Sequence, residues 1–151
     1  MIELKKILKK ENVCFLQGKS KEEVIDELIS LANQSKRIPD IAQFKEALLY
    51  REKLMSTGIG YGIAIPHVRV EGIGDPIVIV GVARDGVSDY QSIDQEAIKI
   101  VILIAVEKAR HKDHIQLLSM FMGKLKEKEI RNQVIGSSNV DDVHDYLINH
   151  T

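Results

Sequence analysis

The sequence predicts an α/β protein, a single mixed β-sheet flanked by helices on both faces, and three observations carry that expectation. Residues 98–106, IKIVILIAV, are apolar at nearly every position, as a central strand covered on both sides must be. Residues 77–83, IVIVGVA, form a second β-branched run, closed by the turn signal Asp85-Gly86. Segments of helical apolar spacing lie before and after these runs instead of alternating with them, which argues against a doubly wound repeat.

Taken in order, residues 13–16 read as a first strand after a short N-terminal segment. Ser20 and Glu23 make a capping box, and Val24, Ile25, Leu28, Ile29 and Ala32 follow at helical spacing. Pro39-Asp40 restarts the chain with Gln43 three residues on, and Ile41, Phe44, Ala47 and Leu48 give a second helix its apolar stripe, running to about Lys53. A glycine-rich loop then leads into a short strand at 63–65. After the two long strands, helical spacing returns at 114–125 and around 130–135. Ser138 with Asp141 is the expected cap of a last helix bearing Val140, Val143 and Leu147. No linker, repeat or low-complexity tract divides the chain, so residues 1–151 read as one domain.

The bulk properties exclude several classes. A formal net charge of −1 gives no global field to recruit nucleic acid or anionic membrane, and seven aromatic residues, none of them Trp, offer no base-stacking platform. The apolar runs are too short to span a bilayer, and the N-terminus has no continuous apolar signal segment. The single cysteine, Cys14, fits a reducing compartment and reads as a small core residue between Val13 and Phe15. A cytoplasmic protein is expected.

Chemistry concentrates in residues 51–70, REKLMSTGIGYGIAIPHVRV. Gly58, Gly60 and Gly62 let the backbone turn tightly and expose its N–H groups, and Ile63, Ala64 and Ile65 anchor the segment. Pro66 then sets the direction in which His67 leaves. Among the other histidines, His150 reads as solvated near the C-terminus, and His144, among Asp141, Asp142 and Asp145, as a surface residue. His111 and His114 follow the end of the central strand, where sites in layered α/β folds collect. Their spacing is weak as a metal motif, with no companion cysteines and no HExxH, so no metal is expected. The glycines follow a helix and open a strand, the reverse of a dinucleotide loop, and no GxSxG elbow is present. A histidine nucleophile remains. Neutral imidazole attacks phosphorus to give a labile phosphoramidate, and needs a fixed tautomer, a second donor, backbone N–H groups and a cation. His67, His114, the 56–62 loop and Arg51 are the candidates.

The string RE-x3-STGIG-x-GIAIPH, together with Ser92-Ile93-Asp94 and HIQLLS at 114–119, resembles the signature of the enzyme IIA domains of the bacterial phosphoenolpyruvate-dependent sugar phosphotransferase system, in the fructose/mannitol/nitrogen-regulatory class. The resemblance runs over nearly the whole chain. It implies a mixed sheet flanked by helices and a phosphoryl carrier that requires no cofactor. It further implies that His67 accepts phosphate on Nε2 from HPr or an HPr-like phosphocarrier and passes it to an enzyme IIB. His114 matches the second active-site histidine, Arg51 the arginine near the site, and Thr57 the threonine whose hydroxyl and neighbouring amides bind phosphate or orient His67. Met55, Ile59, Tyr61 and Val68 are the expected partner contacts. Departures are Val68, where the family often has glycine or alanine, Gln95-Glu96 after Asp94, where Asp-Gly is common, and the additional His111. Two roles follow from the resemblance, a sugar-transport shuttle and a nitrogen-type regulator whose phosphorylation state controls target proteins. A binding module that has lost transfer is opposed by the joint presence of Arg51, Thr57, His67 and His114.

Overall fold

The computed structural model describes residues 2–110 and 112–149. His111 and His150 lie outside them. The helices are α1 (Leu4–Ile7), α2 (Lys21–Asn33), α3 (Ile41–Leu54), α4 (Lys112–Leu125), α5 (Lys128–Gly136) and α6 (Val140–Asn149). The strands are β1 (Val13–Phe15), β2 (Gly58–Gly60), β3 (Ile63–Ala64), β4 (His67–Val70), β5 (Ile77–Val87) and β6 (Ile98–Glu107). They form one mixed sheet in the order β1-β5-β6-β3-β2, with β4 also on β6. No helix among the described residues is long and apolar enough to cross a membrane.

β6 is the central strand, as its sequence requires. It runs antiparallel to β5 and parallel to β3 and β4 on its other edge. Because strand side chains alternate between faces, its residues divide the core in two. Ile100, Ile102, Ile104 and Val106 pack with Leu117, Phe121 and Leu125 of α4 and with α5, α6 and the N-terminal segment. Val101, Leu103 and Ala105 pack with Val24, Ile25 and Leu28 of α2 and Phe44 and Leu48 of α3. The nearly unbroken apolar run thus reports a helix layer on each side.

The helix starts follow their side-chain chemistry. The Ser20 hydroxyl accepts from the Glu23 amide while the Glu23 carboxylate accepts from the Ser20 amide, and Asp40 accepts from Gln43 N–H at 3.1 Å. Three local expectations change. The last helix is capped by Asn139, whose Oδ1 accepts from Asp142 N–H at 2.9 Å, instead of by Ser138. Asp85-Gly86 does not end β5; Gly86, at φ +84°, absorbs a register shift and the strand runs on to Val87. His144 is not a surface residue, since its Nε2 lies 2.8 Å from the Leu8 carbonyl and pins α6 to the N-terminal segment. Cys14 is half-buried, and burial pushes its thiol up to about 11, so it stays protonated near neutrality.

Close backbone approach explains one glycine in particular. A Cβ on Gly58 would lie 2.1 Å from the Gln91 carbonyl oxygen. Gly58→Ala is expected to lower stability by about 1–3 kcal/mol through backbone displacement. Gly123→Ala, in the last turn of α4 with nothing within 4 Å of the added Cβ, is expected to raise it by about 0.5 kcal/mol. Urea midpoints of the two variants check both signs.

Candidate active site

Two segments that are far apart in sequence meet at one end of β6. β4 begins at His67, in register with Ile104, so the His67 side chain stands on the α4 side of the sheet. The chain leaving β6 makes a short 3-10 turn, Lys108–Arg110, and enters α4, which places His114 in the first turn over β4. The two imidazoles stack with centroids 4.0 Å apart and planes 17° apart. With Val68, Arg69, Val106 and Ile115 they line an open cleft of about 250 Å³.

The His67 ring is fixed at one nitrogen. Nδ1 lies 2.9 Å from the Ile65 carbonyl oxygen, which can only accept, so Nδ1 carries the proton and the Nε2 lone pair is free. Burial lowers the His67 pKa, opposed by that hydrogen bond and reinforced by Arg51. Burial also pushes His114 down to about 4, helped by the positive charges of His67, Arg51 and Arg69. Both rings are therefore neutral at pH 7. The His114 Nε2 is buried and has no hydrogen-bond partner, so it is a polar atom awaiting one.

These shifts carry a stability prediction. The unfolded chain binds a proton on His114 near the ordinary value of 6.5, whereas the folded chain does so only near 4. Stability is therefore fully present above pH 6.5 and is lost as the pH falls through that window. The urea midpoint is expected to decline between pH 7 and pH 5, and His114→Gln to flatten the decline.

The cations and the loop differ from what the sequence suggests. Arg51, in the last turn of α3, donates to the Met55 carbonyl at 3.2 Å and bears electrostatically on both rings. Arg69 joins it, two residues beyond His67 on the same face of β4. The period-two relation would have revealed Arg69 had residues 67–70 been read as a strand. Thr57 faces inward: its amide lies 3.1 Å from Glu52, and its hydroxyl donates to the same carboxylate. The loop amides expected to cradle phosphate are largely committed within the protein. Gly60 N–H donates to Ser92 Oγ at 3.1 Å and Tyr61 N–H to Asp94 Oδ2 at 2.9 Å. Residues 58–60 form a strand instead of an open loop, and the glycines serve its tight reversal, with Gly60 at φ +103° and Gly62 at φ +75°.

Ser92 and Asp94 thus act on the glycine hairpin. Ser92 Oγ donates to Asp94 Oδ1 at 2.9 Å, and the backbone N–H groups that reach Asp94 hold its carboxyl below the usual range. Gln95 takes φ +62°, a left-handed conformation that glycine adopts more easily. Met55 is 69% exposed and Tyr61 55%, whereas Ile59 and Val68 are partly buried. Leu54, Ile93 and Ile115 are further exposed apolar side chains that the sequence reading missed. Among the described residues no three His, Cys, Asp or Glu side chains converge as metal ligands would.

A family model described as phosphoenolpyruvate-dependent sugar phosphotransferase system, EIIA 2, matches residues 6–150. The fructose-specific EIIABC component of Bacillus subtilis is 36% identical over 135 residues, covering 89% of this chain but 21% of that protein, so the chain spans about a fifth of that relative. The nitrogen regulatory protein of Pseudomonas aeruginosa is 28% identical over 149 residues, covering 98% of this chain and 96% of the relative. Among solved structures, the nitrogen regulatory protein IIA-Ntr from Neisseria meningitidis superposes with a TM-score of 0.85 at 27% identity, covering 94% of this chain and 97% of that one.

Proposed function

The chain belongs to the EIIA 2 family of the phosphoenolpyruvate-dependent sugar phosphotransferase system, and from that premise we propose that it carries a phosphoryl group on His67 Nε2. The single observation that supports this most is the Nδ1–H bond to the Ile65 carbonyl, which leaves Nε2 as the only nucleophilic nitrogen of a neutral ring. The donor is phospho-HPr or an HPr-like carrier, and the acceptor is an enzyme IIB.

In the transfer, the Nε2 lone pair forms the new N–P bond while the bond from phosphorus to the donor breaks and its electron pair stays with the donor. The ring, now substituted at both nitrogens, gains positive charge, and the Ile65 carbonyl stabilises that charge through Nδ1–H. The guanidinium groups of Arg51 and Arg69 offset charge on the phosphoryl oxygens. His114 Nε2, buried without a partner, donates to a phosphoryl oxygen once one is present. Exposed Met55, Tyr61, Ile93 and Ile115 supply the apolar surface for docking carriers.

A second reading, regulation by the phosphorylation state of the same histidine, is favoured by the full-length similarity to the Pseudomonas nitrogen regulatory protein. The test is incubation of the chain with enzyme I, HPr and labelled phosphoenolpyruvate. Acid-labile label that moves on to an enzyme IIB supports the shuttle. Label that stays on the chain across a panel of IIB proteins favours the regulator. Wild-type chain that takes no label from any HPr-type donor removes both.

A further inference from the structure

We propose that Glu52 is a positioning residue for phosphoryl transfer, setting the tautomer of His67 through a relay of Thr57 and Ile65; this rests on the carrier reading above. Glu52 lies one residue after the site arginine and is 6% exposed, which for a carboxylate calls for several strong partners. It has them. Lys21 Nζ, from the start of α2, is 2.8 Å away, and the Thr57 amide is 3.1 Å away. The Thr57 hydroxyl donates to the second carboxylate oxygen. That hydroxyl oxygen also lies 2.7 Å from the buried Tyr90 hydroxyl; with the Thr57 proton given to Glu52, Tyr90 is the donor. The Lys21 ammonium sits 4.5 Å from the Tyr90 ring centroid, closing the cluster.

The relay continues toward the nucleophile through the backbone. The Thr57 carbonyl accepts from Ile65 N–H at 3.0 Å, and the Ile65 carbonyl accepts from His67 Nδ1–H at 2.9 Å. Glu52 therefore holds Thr57 by its amide and its hydroxyl, Thr57 holds Ile65, and Ile65 presents the one acceptor that orients the His67 ring. Pro66 cannot donate, so the relay bypasses it. None of these atoms touches the reacting phosphorus. Their effect is on which His67 nitrogen bears the proton and on where Nε2 points, and a ring in the other tautomer has no lone pair to attack with. Fully satisfied buried polar networks hold a single geometry in this way.

The test is long-range proton–nitrogen NMR of the His67 imidazole in the full chain at pH 8, together with the rate of phosphoryl acceptance from phospho-HPr. The variants are Glu52→Gln, Thr57→Val and Thr57→Ser. The expected result is an Nδ1–H ring in wild type and a mixture of tautomers in Glu52→Gln and Thr57→Val. Acceptance should slow roughly tenfold in both, the scale of one lost hydrogen bond in a transition state, with Thr57→Ser faster than Thr57→Val. Thr57→Val keeps the Lys21–Glu52 pair and the side-chain shape, so it decides the matter if Glu52→Gln does not fold. Variants with a lower melting temperature but the wild-type tautomer and rate overturn the proposal, because the network is then merely structural. Wild type that accepts no phosphoryl group overturns the carrier reading instead. The tautomer measurement needs no donor and still decides whether Glu52 positions His67.

Discussion

His67→Gln takes no acid-labile label from phospho-HPr, while its urea midpoint stays close to that of wild type at pH 7. The loss should be total, because the other described histidines are unsuited to the task. His144 Nε2 is engaged with the Leu8 carbonyl, and His114 presents a buried Nε2 in a ring whose basicity is already suppressed. Gln fills part of the cleft and is neutral, as the wild-type ring is at pH 7, so the substitution adds no buried charge. Stability and transfer are thereby separated. Label persisting on His67→Gln would place the acceptor elsewhere on the chain. Phosphopeptide mapping under alkaline conditions, where phosphohistidine survives, would locate it.

His114→Ala accepts phosphate on His67 but roughly 10²-fold more slowly, the range for removing one preorganised donor to developing oxyanion charge. The variant loses the stacking partner 4.0 Å from His67 as well as the donor, so His114→Gln is the cleaner comparison and should recover part of the rate. The sign of the accompanying titration is fixed by charge. In the unmodified protein burial and three positive neighbours hold His114 at about 4. A phosphoryl dianion placed on His67 favours the imidazolium, so the His114 pKa must rise on phosphorylation. Nitrogen chemical shifts of His114 followed against pH in the two states measure that rise directly. An unchanged titration would mean that His114 does not face the phosphoryl group.

Burial and the Arg51 charge act in the same direction on His67, the proposed nucleophile. Its pKa lies below the ordinary histidine value, chiefly through burial, so the attacking lone pair is available through the whole neutral range. The Arg51 guanidinium disfavours the protonated ring, which could not attack. In the proposed transfer, Arg51 and Arg69 attract the incoming phosphoryl oxygens.

Much of this was legible from residue order alone. The nearly unbroken apolar run of residues 98–106 required a helix layer on each side, and the capping chemistry of Ser20 and Asp40 marked two helix starts. The glycine–proline–histidine string singled out His67, and the apolar spacing after His114 put that residue at a helix start. These features depend on neighbours within a few residues, and local sequence carries local physics well. The stacking of His67 on His114 belongs to a different scale, because it arises from the parallel register of β4 on β6 and from the tight turn into α4. The same holds for Glu52, whose place in the string shows nothing of its partners; its role appears only when Lys21, Thr57 and Tyr90 converge around it from three places in the chain. Periodicity thus specified the layers, and the glycine–proline–histidine string the candidate imidazole. Long-range packing specified its tautomer, its neighbours and the fate of the loop amides, since each of those depends on which distant polar group reaches a buried atom first.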